Sequence, residues 1–142
     1  MVPIGATNNR EQQIANSQFG GGATTWAPAT WYVGLSTTTP AGDGTAFSEP
    51  VGGAYARVAV TNNSTNWPAA TTGDGVTRKA NGAKITFPNP TGSWGTITHY
   101  GIFTASSGGT PEYTCPLDVS ISPKSGNTPV EFDVGQLILT WA

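Results

Sequence analysis

Histidine and cysteine, which often serve as catalytic bases and nucleophiles, each occur once in the 142 residues. Any Ser-His-Asp, Cys-His or histidine–metal site must therefore use His99, and any thiol nucleophile must be Cys115. His99 falls within an alternating strand pattern, and Cys115 lies in the apolar segment Tyr113–Leu117. We interpret both as structural residues, His99 packed or hydrogen-bonded and Cys115 buried. A single cysteine also excludes an internal disulfide.

Paired carboxylates offer a second kind of chemistry. Glu131 and Asp133 share a predicted strand face at a separation of about 6–7 Å, which could suit a glycosidase pair. Alternating acids on an exposed strand explain this spacing more simply. Asp43-Gly44 and Asp74-Gly75 lack the dense acidic spacing of a calcium loop and are typical of turns. We therefore predict that the protein is not an enzyme and uses no metal or cofactor.

The charge of the chain restricts its partners. Charged residues make up only 10% of the sequence and the net charge is −2, whereas nucleic-acid binding needs clustered Lys and Arg. The one basic cluster, Arg78-Lys79 with Lys84 nearby, is interpreted as a solvated loop flank. No apolar run reaches the roughly 18–20 residues of a membrane span. We expect no nucleic acid and no membrane as a partner, and a weakly charged surface that other proteins cover.

Strands are the elements that must position these side chains. From residue 30 onward apolar and polar residues alternate, and Gly- and Pro-rich turns separate the alternating segments. The predicted strands are 31–36, 54–61, 84–87, 94–104, 117–121, 130–134 and 136–141. Seven or eight short antiparallel strands of this kind predict an all-β, jelly-roll-like β-sandwich domain over residues 30–142.

Two local predictions bear on a possible site. The segment 61–81 is polar and rich in small residues, so it is predicted to be a long loop that binds a ligand or packs against a neighbour. In the strand 94–104, the alternation places Ile97, His99 and Phe103 on one face. Tyr100 and Ile102 belong to the opposite face.

Residues 1–29 form a predicted N-terminal arm. The segment 8–19 is the only plausible helix, and Ile14 and Phe19 are its only large apolar residues, so it would be marginal in isolation. The arm should therefore lie against another surface. We predict partner contacts by Arg10, Ile14 and Phe19.

The five tryptophans divide into two groups. Trp31 and Trp94 fall within strand patterns and are assigned to the core. Trp26, Trp67 and Trp141 lie in loop sequence or near the C-terminus, where an aromatic residue either closes the end of a sandwich or anchors an interface. Both alternatives stay open, and these three complete the set of candidate partner contacts.

Four segments stand out by their order and spacing: APATWYVGLSTTTP at 27–40, GAYARVAVT at 53–61, NGAKITFP at 81–88 and GSWGTITHYGIF at 92–103. Together they resemble a family of small tailed-bacteriophage virion proteins, described as head decoration (cement) proteins or tail-fibre-like proteins. The resemblance extends over roughly residues 10–142. The shorter, more polar N-terminal helix and the Pro-containing segment 111–129 depart from the family pattern.

This resemblance implies a structural role in the phage particle. The main hypothesis is a capsid decoration protein on the capsid exterior, which bridges neighbouring copies of the major capsid protein and self-associates as a dimer or trimer. Residues 1–20 contain no apolar secretory segment, so synthesis in the cytoplasm of the bacterial host is expected. The alternative is a tail-fibre or receptor-binding module, in which the loops 61–81 and 106–109 contact a host glycan and Trp67 stacks on a sugar ring. A glycan hydrolase using Glu131 and Asp133 is the third hypothesis.

Overall fold

Antiparallel strands make up most of the regular structure. The computed structural model describes residues 5–19 and 27–141. Within them the elements, in chain order, are β1 (Gly5–Ala6), α1 (Asn8–Gln18), β2 (Thr30–Ser36), β3 (Val58–Thr61), β4 (Thr71–Gly73), β5 (Val76–Ala80), β6 (Ile85–Thr86), β7 (Ile97–Phe103), β8 (Tyr113–Ile121), β9 (Glu131–Phe132) and β10 (Ile138–Trp141). The predicted all-β class is confirmed. The described residues hold ten strands and not seven or eight, because β1 lies in the predicted arm and β4 and β5 lie in the predicted loop 61–81. The jelly-roll connectivity stays a prediction.

The strands form three antiparallel sheets. The large sheet has the order β1-β8-β7-β2-β3, the second has the order β10-β5-β4, and β6 pairs with β9 in the third. Val33 and Leu35 of β2 are fully buried, as is Ile102 of β7, and Leu137 and Leu139 join them from the β10 side. Each such side chain contributes about 1.5–3 kcal/mol by leaving water. The hydrophobic core therefore lies between the large sheet and the sheet that contains β10.

A register shift interrupts the pairing of β7 with β8. Ile97 pairs with Ile121, whereas His99 pairs with Pro116, so β8 bulges between these two points. Ile97, which is 0% exposed, belongs to the same core cluster as Tyr100 and Ile102. Ile97 and Tyr100 were predicted to lie on opposite faces of the strand, and both are buried in this one cluster.

The segment 61–81 contains a hairpin and is not one long loop. β4 and β5 pair around Asp74 and Gly75, whose φ angles of 52° and 74° are those of a tight hairpin turn. β5 then pairs with β10 over four residue pairs, from Ile138–Ala80 to Trp141–Thr77. The prediction failed because the strand partner that stabilises β5 lies some 60 residues further along the chain.

The segments that precede β3 and β7 pack as loops, although they were predicted to be strand. Ala54 has a φ of 62°, which interrupts an extended chain. Trp94 is 2% exposed, and its indole N–H donates a 2.7 Å hydrogen bond to the carbonyl of Gly53. Trp94 thus belongs to the core as predicted, but it anchors the loop before β3 to the core.

Two facing glycines shape the outer face of the large sheet. Gly34 of β2 is directly opposite Gly101 of β7. A Cβ at Gly101 would lie 2.6 Å from the ring of Phe47, and one at Gly34 would lie 2.9 Å from the ring of Phe103. The absence of side chains here lets these two rings pack edge-to-face at 5.2 Å across the sheet. The large sheet is therefore covered by aromatic side chains on its outer face as well.

The beginning of the predicted arm lies against the sheet of its own chain. Ala6 in β1 pairs with Tyr113 in β8, and the Thr7 N–H donates to the carbonyl of Glu112 at 2.8 Å. The predicted helix is confirmed as α1, which begins at Asn8 after Thr7 as its N-cap residue. The division of the chain at residue 29 stays a prediction. In the described residues no helix is both long enough and apolar enough to cross a membrane.

Candidate functional site

An open cavity lies where the large sheet and the β10 sheet diverge. Its volume is about 450 Å³, which falls within the range of roughly 300–1,000 Å³ typical of small-molecule sites. The described residues that line it are Trp31, Asn62, Asn63, Ser64, Trp67, Lys79, Ile102, Tyr113, Leu139 and Trp141. Both sheets and the loop after β3 therefore contribute to its wall.

Three aromatic rings form a continuous wall of the cavity. Trp31 and Tyr113 meet edge-to-face with centroids 6.0 Å apart, and Tyr113 meets Trp141 in the same way at 5.9 Å. Tyr113 is buried and burial raises its pKa, so the phenol is neutral at physiological pH. Trp31 and Trp141 remain partly exposed. The wall therefore offers apolar surface to a ligand from solvent.

Arg10 of α1 supports this wall with its buried side chain. Its guanidinium carbon lies 5.2 Å from the ring centre of Trp31 and 5.6 Å from that of Tyr113. Arg10 is 1% exposed and its Nε is 3.2 Å from a carboxylate oxygen of Glu112. A cation over two aromatic faces is attracted to both rings. Arg10 thus fixes the orientation of the aromatic wall, and its side chain is enclosed within its own chain.

Two asparagines present polar groups in fixed orientations at the cavity. The Asn62 Nδ2 donates to the carbonyl of Pro28 at 2.9 Å. The Asn63 Oδ1 accepts from the backbone N–H groups of Thr65 and Asn66 at 3.1 and 2.8 Å. These bonds hold both side chains and leave the Asn62 Oδ1 as an acceptor and the Asn63 Nδ2 as a donor without partners among the described residues.

Trp67 closes the inner side of the loop. It is 7% exposed, and its backbone N–H donates to the carbonyl of Asn63 at 2.9 Å. Its indole Nε1 is enclosed and has no hydrogen-bond partner in the described part of the chain. An enclosed donor without a partner costs about 1–3 kcal/mol. Trp67 therefore lines the cavity and carries a buried donor that the described residues leave without a partner.

The position of this loop depends on Gly82. The Gly82 N–H donates to the carbonyl of Asn66 at 2.7 Å. A Cβ at Gly82 would collide with the carbonyl oxygen of Thr65 and lie 2.7 Å from the ring of Pro68. The loop that bears both asparagines can therefore pack here only against a residue without a side chain.

We expect Gly82→Ala to destabilise the fold by about 1–3 kcal/mol because the added methyl group forces the loop away. Urea unfolding followed by tryptophan fluorescence measures the change. Gly73→Ala is the matched control, since a Cβ at Gly73 meets nothing within 4 Å. Equal midpoints for Gly82→Ala and the wild type would contradict the close packing described here.

Three of the six predicted contact residues meet at this cavity. Trp67 and Trp141 line it, and Arg10 lies behind it. Sequence reasoning assigned Trp31 to the core and Lys79 to a solvated loop flank, and so missed both as cavity residues. The signal that could have found Lys79 is its alternation with Thr77 along β5, but β5 itself was not predicted.

Ile14 and Phe19 are not among the described residues that line the cavity. Phe19 is 80% exposed at the end of α1, and Ile14 is partly buried on the same helix. Trp26 lies outside the described residues. Contact of any of the six residues with a partner stays a prediction.

The residues considered for catalysis occupy structural positions. The Lys84 Nζ lies 2.5 Å from Glu131 and 3.4 Å from Asp133, so it bridges the two carboxylates of the hypothetical hydrolase. Cys115 is buried and burial raises its pKa, which disfavours the reactive thiolate. The His99 Nδ1 is 2.8 Å from the Thr98 hydroxyl, and burial lowers the pKa of the imidazole. No cluster of three potential metal ligands occurs among the described residues.

Comparison with known proteins gives one result that bears on function. A protein-family model described as "Gp80: Podophage GP4 fiber I protein gp80" matches residues 5–140. No curated protein matches the chain. The family match supports the resemblance found in the sequence and the broader prediction of a phage virion structural protein. Its description names a fibre protein, so it favours the tail-fibre alternative over capsid decoration. A position on the capsid exterior stays a prediction.

Proposed function

Because this chain belongs to the family of the podophage GP4 fiber I protein gp80, we propose that it is a fibre component that contacts a glycan on the host surface. The observation that carries the proposal is the cavity between the two sheets, with its aromatic wall and its two oriented asparagines. The family match supports a place in a fibre of the virion, and the cavity supports a glycan as the ligand.

The lining of the cavity matches the two surfaces of a sugar ring. A pyranose presents C–H groups on its faces and hydroxyl groups around its edge. The flat, electron-rich faces of Trp31 and Trp141 suit the C–H groups. The Asn62 Oδ1 can accept from one hydroxyl, and the Asn63 Nδ2 can donate to its neighbour. A purely apolar ligand would leave these amide groups unused.

The polar groups are oriented before any ligand binds. The hydrogen bonds of Asn62 to Pro28 and of Asn63 to its own loop restrict both side chains in the free protein. Less rotational freedom is then lost on binding, which strengthens an otherwise small contact. The enclosed N–H of Trp67 gains a partner if the loop shifts toward a ligand oxygen.

The proposed mechanism is adhesion without catalysis. A single sugar contact is weak, and copies presented together on one particle raise the overall strength by avidity. Self-association of this chain would supply such copies. We also propose that the protein is not an enzyme and binds neither nucleic acid nor membrane, in line with its low charge.

Glycan binding by Trp141→Ala tests the proposal. Trp141 is partly exposed but also packs against the core, so circular dichroism first checks that the variant is folded. We expect the affinity of the folded variant for the cognate host glycan to fall by about tenfold or more. Isolated host surface polysaccharide titrated into the purified protein gives the measurement. Phe19→Ala is the control, because Phe19 is exposed and does not line the cavity. Equal affinity for Trp141→Ala and wild type would reject the cavity as the site.

Copy number and labelling on purified virions test the location. A fibre component should be present in a small number of copies and label the tail. Hundreds of copies on the head would instead support the capsid-decoration hypothesis, in which the major capsid protein is the partner.

A further inference from the structure

The charged side chain that the described residues place at the cavity is positive. Lys79 is the only charged residue among the described residues that line it. Lys79 pairs with Leu139 across β5 and β10, so its side chain shares a face with that of Leu139 and stands beside the aromatic wall. A ligand in the cavity therefore meets an ammonium group and no carboxylate from these residues.

Lys79 has no acidic partner within the described part of the chain. The ion pairs found among the described residues join Arg10 to Glu112, Arg57 to Glu49, and Lys84 to both Glu131 and Asp133. Four of the eight acidic residues are thereby used elsewhere. The net charge is negative, so acidic residues outnumber basic ones. Lys79 therefore lacks a counterion although the chain has more carboxylates than cations.

From this arrangement, and on the basis of the glycan contact proposed above, we infer that the cavity selects anionic saccharides. The ligand class is a sugar that carries a carboxylate or a phosphate, with its ring against the aromatic wall and its anionic oxygen toward Lys79. Charge-assisted hydrogen bonds are roughly twice as strong as neutral ones. The apolar wall raises this contribution by excluding water from one side of the ion pair.

A glycan array with matched chemical treatments tests the inference. Bacterial surface polysaccharide fragments are printed in native, carboxyl-reduced and dephosphorylated forms, and the full-length protein is applied as wild type, Lys79→Gln, Lys79→Arg and Lys124→Gln. Lys124 is exposed and does not line the cavity, so its variant is the control for net charge.

We expect wild type to bind acidic fragments and to lose about tenfold in affinity when their anionic group is removed. Carboxyl reduction and dephosphorylation then distinguish the two anions. Lys79→Gln should show the same loss on native acidic fragments and no change on the treated ones. Lys79→Arg should retain most of the affinity, and Lys124→Gln all of it. Added salt should weaken only the native interaction.

Two results overturn the inference in different ways. Equal binding of native and treated fragments, or unchanged binding by Lys79→Gln, would reject the anionic preference and leave the glycan contact standing. Binding to no fragment by folded wild-type protein would reject the glycan contact itself, and with it the anionic preference.

Discussion

Replacement of Asn81 by aspartate is expected to destabilise the fold by about 3–5 kcal/mol. Asn81 is 2% exposed, and its Nδ2 donates to the carbonyls of Ala83 and Asp133, both at 2.9 Å. Its Oδ1 accepts from the N–H of Leu137 at 2.9 Å. An aspartate keeps the acceptor but places an anionic oxygen against two carbonyl oxygens. The side chain at this position can therefore link the end of β5 to the turn before β10 only if it is an amide and not a carboxylate.

Urea unfolding of Asn81→Asp at several pH values measures this effect. Protonation of the new carboxyl removes its buried charge and restores one hydrogen-bond donor. The folded state therefore favours the protonated form, which raises the folded-state pKa of this carboxyl above its unfolded value of about 4. Stability is then greatest below about pH 4 and is lost as pH rises through the folded pKa. Asn127→Asp is the control, since Asn127 is exposed and uses only its oxygen, which accepts from Lys124 N–H at 2.9 Å. Similar losses for both variants would contradict this account.

Glu49→Ala is expected to cost about 3–5 kcal/mol, because it leaves a buried guanidinium without its counterion. The Arg57 side chain is 3% exposed and forms two parallel bonds to the Glu49 carboxylate, at 2.9 and 2.7 Å. Its guanidinium carbon lies 3.4 Å from the ring centre of Phe103. The Tyr55 hydroxyl also donates to Glu49 at 2.7 Å. One carboxylate therefore accepts from the buried Arg57 guanidinium and from the partly buried Tyr55 hydroxyl.

A comparison with an exposed ion pair isolates the effect of burial. Glu131→Ala removes one of the two carboxylate partners of Lys84, whose side chain is 48% exposed, and should cost no more than about 1 kcal/mol. Thermal unfolding of both variants gives the two values. The double variant Glu49→Ala/Arg57→Met should recover part of the loss, because the uncompensated charge is then absent. A cost of less than about 1 kcal/mol for Glu49→Ala would show that solvent reaches Arg57.

The strands that the sequence predicted correctly are those with regular alternation. β2 was located at its observed position because Trp31, Val33 and Leu35 recur at every second residue and face one core. The end of β10 was found for the same reason. Local alternation is a property of neighbouring residues, so it can be read without knowledge of the partner strand.

Local alternation could predict neither β-bulges nor the pairing of strands that are distant in sequence. Between the pairs Ile97–Ile121 and His99–Pro116, β8 has three residues more than β7, and alternation within β7 cannot indicate this register shift. β5 contains Arg78 and Lys79, and two adjacent charged residues predict a solvent-exposed segment when only their sequence neighbours are considered. Pairing with β10 is what makes it a strand and directs Lys79 toward the cavity.

The candidate site was only partly within reach of the sequence. Trp67 and Trp141 were identified because a tryptophan in loop sequence or near a chain end either closes the end of a sandwich or anchors an interface. The roles of Arg10 and Tyr113 required the fold, since their contact joins residues 103 positions apart and depends on α1 lying behind β8.

The amino-acid sequence by itself determined the all-β class, the scarcity of catalytic groups and the resemblance to phage virion proteins, since these depend on composition, local period and motif order. Only the tertiary structure decided which side chains share a cavity, because that depends on strand partners distant in sequence. Trp31, Tyr113, Trp141 and Lys79 lie on four different strands, and antiparallel pairing together with the packing of two sheets brings them together.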